Sequence, residues 1–140
     1  MKSLTQLVRI NLSWNNITKI SHLFKIATLE YISLNNNKIT SIPPSITELK
    51  KLSVLKLAGN PLRDRKSIVN LRGLINSTSL DIEKTNLAFN EDTLQFIVFT
   101  LPQLNILNRQ AIPIEFRRVA SERYSREEME WLYQENEEIS

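Results

Sequence analysis

The sequence predicts an α/β solenoid: a curved parallel sheet of about five short strands, a convex side of 3₁₀ turns and helices, and a helical cap at the C-terminal end. The pattern L-x-x-L-x-L-x-x-N-x-L occurs three times, with starts 22 and 23 residues apart. Its spacing fits neither a helix nor a single alternating strand. At 140 residues the chain can bury one core. The copies occupy Leu7, Ile10, Leu12, Asn15 and Ile17; Leu29, Ile32, Leu34, Asn37 and Ile39; and Leu52, Leu55, Leu57, Asn60 and Leu62.

Each position of the pattern has a physical reason. In a short strand, the second and third apolar residues point into the coil, and the residues beside them face the opposite, concave side. The turn that follows leaves backbone N–H and C=O groups without partners, and a buried asparagine can supply both an acceptor and donors. We therefore expect Asn15, Asn37 and Asn60 to form a ladder inside a solenoid whose coils stack on their neighbours.

Two later, degraded copies of the pattern predict a fourth and a fifth strand. They consist of Ser77, Leu80, Ile82, Thr85 and Leu87, and of Leu101, Leu104 and Ile106. In the fourth copy, the hydroxyl of Thr85 takes the place of the asparagine.

The return segments between the strands are predicted to differ. Apolar residues at every third position over residues 17–29 indicate a tight 3₁₀-type turn. The two prolines at 43–44 exclude a regular helix at that point. A proline directly before residues 62–75 can open a helix over that range. Asn90 is expected to cap a further helix that ends near residue 100.

The last part of the chain predicts a cap on the final coil, whose apolar end must be covered. Residues 101–126 read LPQLNILNRQAIPIEFRRVASERYSR, with Phe116, Val119 and Ala120 at helical spacing. Repeats with this ending resemble the intracellular type of the leucine-rich repeat family, whose C-terminal cap follows the pattern LPxLxxLD, a hydrophobic residue and an arginine-rich helix. The matching residues are Leu101, Pro102, Leu104, Leu107, Ile112, Arg117 and Arg118, with Asn108 where the family usually has Asp.

The resemblance implies a regulatory or adaptor protein. The group that it resembles includes phosphatase regulators, tubulin-folding cofactors, axonemal dynein subunits, spliceosomal adaptors and mRNA-export factors. The stretch ILNRQAIPIEFRRVASERY is most similar to the cap of a tubulin-folding cofactor or a related microtubule-linked protein, which implies a cytoskeletal role. The degraded repeat at residues 77–100 departs from that pattern.

We expect residues 1–112 to form the repeats and residues 113–140 to form the cap helix and an acidic tail helix, all in one structural domain. Trp131 and Tyr133 of the tail either pack on the solenoid or anchor a partner. Nothing comparable covers the first coil. Further N-terminal repeats, a partner or a second copy are therefore expected there.

Charge and composition exclude several classes of protein. Residues 1–126 contain all 18 Lys and Arg with nine acids, a net +9, whereas the final 14 residues carry six Glu and no base, a net −6. The bases are scattered without interleaved aromatic residues, which argues against direct nucleic-acid binding. No apolar run reaches membrane length, and MKSLTQLVRI lacks a signal-peptide core. We expect a cytoplasmic location, with the nucleus as the alternative.

The sequence contains no constellation typical of an enzyme. There is no cysteine, and His22 is the single histidine. The two glycines, Gly59 and Gly73, form no phosphate-binding loop. We therefore predict no catalytic, cofactor-binding or metal-binding residues.

Function is predicted to lie on the concave face. A strip that passes from basic and aromatic to acidic suits a protein surface better than a phosphate backbone. The sequence thus predicts a non-enzymatic protein–protein interaction scaffold. Two alternatives remain open: a regulatory subunit of an enzyme such as a protein phosphatase, and a ribonucleoprotein adaptor. The candidate partner-binding residues are Arg9, Asn11, Trp14, Tyr31, Ser33, Asn35, Lys56, Asp81 and Glu83, with Gln103 and Asn105 continuing the strip.

Overall fold

The computed structural model describes residues 6–124 and contains the predicted solenoid. Five short parallel strands stack in chain order, and each belongs to one coil, numbered one to five. A sixth strand, which the repeat pattern did not predict, pairs antiparallel with the fifth. The strands are β1 (Arg9–Asn11), β2 (Tyr31–Ser33), β3 (Val54–Lys56), β4 (Ser79–Asp81), β5 (Ile106–Leu107) and β6 (Gln110–Ala111).

The strand register confirms the inward positions of the first four copies and corrects the fifth. Ile32, Leu55 and Leu80 are aligned across neighbouring strands and are almost fully buried. In the fifth coil the aligned residue is Leu107 rather than Leu104. The preceding return segment contains a full helix and is longer. Leu104 therefore takes the first position of the pattern.

The return segments between the first four strands are 3₁₀ turns, as predicted for the first of them. They span Ser21–Lys25, Pro44–Glu48 and Arg65–Leu71. The helix predicted over residues 62–75 is wrong. Asp64 ends the extended stretch there, because its side chain accepts a hydrogen bond from the Lys66 N–H, at 2.8 Å, and a tight 3₁₀ turn follows.

Two helices complete the C-terminal end. After a short 3₁₀ turn over Asn86–Phe89, α1 spans Glu91–Thr100, and the Asn90 side chain accepts from the Asp92 N–H at 2.8 Å, which confirms the predicted cap. The cap helix α2 spans Ile114–Arg123 and packs against α1. Ala120 is fully buried at this contact, and the ring of Tyr124 meets Phe96 edge-on at 5.7 Å.

The asparagine ladder is present in coils two and three. Oδ1 of Asn37 accepts from the Ile17 N–H, at 3.1 Å, and its Nδ2 donates to the carbonyls of Leu12 and Leu34 at 3.0 and 2.9 Å. Asn60 repeats this arrangement one coil further on. Asn15 makes the corresponding bonds within its own coil, with its Nδ2 donating to the carbonyls of Leu12 and Ser13 at 2.8 and 3.1 Å, but its side chain is exposed rather than buried as predicted.

The backbone turns sharply one residue before each ladder position. Trp14, Asn36, Gly59 and Lys84 have φ values between 59° and 70°, in the left-handed region. At Gly59 an added Cβ would lie 2.2 Å from Oδ1 of Asn36, so this position also requires a residue without a side chain. Because the left-handed turn recurs at the equivalent position of each coil, the strands all end at the same edge of the concave face.

Candidate functional site

The sheet brings three of the candidate residues into one cluster on the concave face. Arg9 and Tyr31 are directly paired on β1 and β2, and Lys56 lies at the end of β3. The Arg9 guanidinium carbon is 4.0 Å from the centre of the Tyr31 ring, and the Lys56 ammonium is 5.4 Å from it. Both distances are within cation–π range. We call Arg9, Tyr31 and Lys56 the basic cluster.

The basic cluster presents positive charge to a partner, and the ring of Tyr31 holds that charge in place. Each cation–π contact contributes about 0.5–1 kcal/mol at an exposed site. An arginine held in this way loses less conformational entropy when it pairs with a carboxylate. The arrangement is suited to an acidic side chain flanked by apolar contact area.

Three other candidate residues serve the solenoid itself. The Ser33 hydroxyl, which is buried, shares a 2.9 Å hydrogen bond with the Ser13 hydroxyl. Oδ1 of Asn35 accepts from the Ala58 N–H, at 2.9 Å, and joins coil two to coil three. Buried Asp81 accepts from the N–H of Glu83 at 3.1 Å. Each of these side chains thus already makes a hydrogen bond within the solenoid, and Ser33 and Asp81 are also buried.

The predicted acidic end of the strip is partly neutralised. Arg109 donates two hydrogen bonds to the Glu83 carboxylate, at 3.2 and 3.1 Å, and this contact raises the pKa of Arg109. Asn108 and Arg109 form the two-residue turn between β5 and β6, both with positive φ, as in a type I′ hairpin. Sequence reasoning missed Arg109, because only the asparagine of this Asn-Arg pair is typical of such a turn.

The end of the strip also differs in position from the prediction. Ile106 is the strand residue aligned with Ser79 of β4, and its side chain is partly exposed. Gln103 instead donates from Nε2 to the carbonyls of Leu71 and Leu74, at 3.2 and 3.3 Å. Asn105 precedes β5, and its N–H bonds the Thr78 carbonyl. The concave face therefore ends on an apolar side chain.

Trp14 and Asn11 are accessible at the N-terminal end of the face. The Trp14 side chain is 80% exposed although its backbone adopts a left-handed conformation (φ 61°). A bulky residue rarely adopts this conformation. Oδ1 of Asn11 accepts from the Ser13 N–H, and the rest of its side chain faces solvent. The possible tail anchors, Trp131 and Tyr133, lie outside the described residues.

A cluster on the opposite side joins the cap to the repeats. The Asp92 carboxylate accepts from Arg65 at 3.3 Å, from Arg123 at 2.7 Å and from the Tyr124 hydroxyl. The hydrogen bond from Tyr124 is the main cause of a lowered Asp92 pKa, with the two arginines adding to it against the effect of burial. Sequence reasoning missed this cluster because Arg65 lies 27 residues from Asp92 and 59 residues from Tyr124.

Within residues 6–124, the structure contains no group of three or more His, Asp or Glu side chains that could hold a metal ion. No helix in that range is long and apolar enough to cross a membrane. The accessible groups described on the concave sheet are the cations of Arg9 and Lys56, the Tyr31 ring and the exposed Trp14 indole.

The fold places the chain in the class of repeat solenoid proteins. A family model described as leucine-rich repeat matches residues 2–135. The chain belongs to the leucine-rich repeat family. The model describes a repeat architecture rather than a catalytic family.

Three comparisons with individual proteins agree with this assignment. The chain is 26% identical over 121 residues to the probable U2 small nuclear ribonucleoprotein A' of Drosophila melanogaster, covering 86% of this chain and 46% of that protein. It therefore spans less than half of that relative's length. A chain of the crystal structure of the Drosophila melanogaster SNF/U2A' complex superposes with a TM-score of 0.76 at 23% identity, covering 94% of this chain and 77% of that chain. A leucine-rich repeat protein of Leptospira interrogans superposes at 0.61 with 29% identity, covering 71% and 25%.

These comparisons leave several predictions untested. The likeness to a tubulin-folding cofactor, the cytoskeletal role and the role as an enzyme regulator stay predictions.

Proposed function

We propose that this chain is a non-enzymatic scaffold that binds another protein on its concave face. The observation that carries the proposal is the basic cluster, in which two cations share the ring of Tyr31 at 4.0 and 5.4 Å. Tyrosine, tryptophan and arginine are the residue types that most often dominate protein interfaces. Trp14 adds an exposed indole at the same end of the sheet.

The partner surface is best described as convex, with an acidic group opposite the basic cluster and an apolar group that receives Trp14. The concave face offers few accessible acids, because Glu83 is paired with Arg109 and Asp81 is buried. The contact therefore depends on the N-terminal half of the strip, rather than on the whole strip that the sequence suggested.

A ribonucleoprotein adaptor is the second candidate, and one specific observation favours it. The Drosophila relative is named as a component of a small nuclear ribonucleoprotein, and the superposed crystal structure is of a complex between SNF and U2A'. In this proposal the chain binds a protein of an RNA-containing particle and acts in the nucleus, rather than in the cytoplasm. It contacts the protein and leaves the RNA to its partner.

The test is an affinity capture from the source organism with three proteins: the native chain, Arg9→Ala/Tyr31→Ala/Lys56→Ala, and Lys25→Ala/Lys50→Ala/Phe89→Ala. The second triple variant is a matched control. It removes the same two charges and one aromatic ring from exposed positions on the return segments. We expect the native chain and the control to retain the same partner and the concave variant to lose it. A partner retained by all three would contradict the proposal.

Two additions separate the scaffold from the adaptor. Nuclease treatment of the lysate leaves a direct protein contact intact. Identification of the retained partner as an RNA-binding protein supports the adaptor. If the partner is lost after nuclease treatment, or if affinity for RNA falls steeply between low and moderate salt, the chain itself contacts phosphates. Either result would overturn the protein-contact mechanism.

A further inference from the structure

An apolar cleft of about 290 Å³ lies at the cap, away from the basic cluster. It is open to solvent and is bordered by α1, by the β5–β6 hairpin and by the first turn of α2. The neighbouring Ile114 leaves 86% of its side chain exposed. The side chains that give the cleft its apolar character are Leu94, Val98, Leu107, Ala111, Ile112 and Phe116.

The size and lining of the cleft indicate what kind of group it receives. Sites for small molecules usually have volumes of about 300–1,000 Å³ and several convergent polar groups. This cleft lies just below that range, and the polar side chains at its wall are the amides Asn108 and Gln110. One or two large apolar side chains of a peptide would fill it.

We propose that the C-terminal segment of this chain, residues 125–140, occupies this cleft and that Trp131 is its anchor. The segment follows directly after Tyr124, at the end of the helix whose first turn forms one wall. Its apolar residues are concentrated in one stretch, Met129 to Tyr133, between glutamates. Tryptophan and tyrosine are among the residue types that most often anchor a bound segment in a well-packed apolar pocket.

The length of the connection agrees with this placement. Phe116 lies eight residues before Tyr124 on α2, about 12 Å along the helix axis at 1.5 Å per residue. A neighbouring segment runs about 9 Å away from that axis, so the distance to cover is about 15 Å. The seven residues from Tyr124 to Trp131 span about 10 Å as a helix and about 23 Å when extended. The anchor therefore reaches the cleft without strain.

Charge favours the same occupant. The final 14 residues carry a net −6, and residues 1–126 a net +9. The acidic segment is therefore attracted to the body of the chain as a whole, because the two carry net charges of opposite sign.

The first test uses the two tryptophans of the chain. Trp14→Phe leaves Trp131 as the single indole reporter. We expect blue-shifted emission and weak acrylamide quenching in this variant. Adding Ala111→Arg, which fills the cleft from an exposed position, should shift the emission towards that of solvated tryptophan and raise the quenching constant at least twofold. Ala27→Arg, an identical change at an exposed site on a return segment, should leave both unchanged.

The second test does not depend on how Ala111→Arg folds. The chain has no cysteine, so the pair Ala111→Cys/Leu132→Cys can form only one intramolecular disulfide. It should form rapidly at low protein concentration, whereas Ala27→Cys/Leu132→Cys should not. Solvent-exposed Trp131 emission, or cross-linking no faster than in the control pair, would overturn the proposal. Shielding of Trp131 that disappears on dilution would assign the segment to the cleft of a second copy, and the intramolecular contact would be wrong.

Discussion

Asn60→Ala removes the side chain that joins the second and third coils. Its Oδ1 accepts from the N–H groups of Asn37 and Ile39, at 3.2 and 3.1 Å, and its Nδ2 donates to the carbonyls of Leu34 and Leu57, at 2.9 and 3.0 Å. The residue is only 2% exposed, so water cannot replace these bonds without opening the coil.

The magnitude follows from these four backbone groups. Each buried group left without a partner costs about 1 kcal/mol or more, so the variant should lose roughly 4 kcal/mol of unfolding free energy. Asn60→Thr should lose an intermediate amount. At the equivalent position of coil four, the Thr85 hydroxyl donates to the Ile82 carbonyl at 2.6 Å and satisfies one of the groups.

Asn15→Ala is the matched control. Asn15 stands at the same position of coil one, but its side chain is exposed and donates to the carbonyls of Leu12 and Ser13, which water can reach. We expect a loss below about 1 kcal/mol. Urea denaturation of the three variants, followed by circular dichroism, gives the comparison. Equal losses for Asn60→Ala and Asn15→Ala would refute the reasoning that burial makes this side chain essential.

Three further predictions concern the backbone turns and the cap. Trp14→Asn should raise the free energy of unfolding, measured with urea, by up to about 1 kcal/mol, because asparagine adopts φ near 61° more readily than tryptophan and the indole is 80% exposed. The same variant should bind the partner more weakly. Unchanged affinity would show that Trp14 is not part of the partner-binding surface. Gly59→Ala should lower the melting temperature, with a cost of about 1–2 kcal/mol from φ +70°; Asn36→Gly should relieve only the part due to the 2.2 Å contact. The lowered pKa of Asp92 adds stability that is complete above about pH 4 and is lost as the pH falls through that lowered pKa. The unfolding free energies of the native chain and of Asp92→Asn, measured against pH, should therefore converge below the lowered pKa of Asp92. A constant difference between the two curves would contradict the role given to the Tyr124 hydrogen bond.

The sequence by itself determined the solenoid. The apolar spacing of its copies requires each coil to bury residues such as Ile32 and Leu55 against its neighbours, and no other common fold satisfies that repeat. The helix cap at Asn90 was equally local, because capping depends on a few adjacent residues. The helix predicted over residues 62–75 was wrong because the hydrogen bonds of Asp64 favoured a tight 3₁₀ turn.

The tertiary structure decided which members of the concave strip are available to a partner. The pattern placed Ser33, Asn35 and Asp81 on that face, but only the stacked coils show that hydrogen bonds already hold them. Likewise, the pairing of Arg109 with Glu83 and the register of Leu107 depend on a hairpin that the repeat pattern does not contain. Periodicity records which side of a strand a residue faces. Whether its polar atoms are already bonded depends on residues 20 or more positions away, which meet only in the folded solenoid.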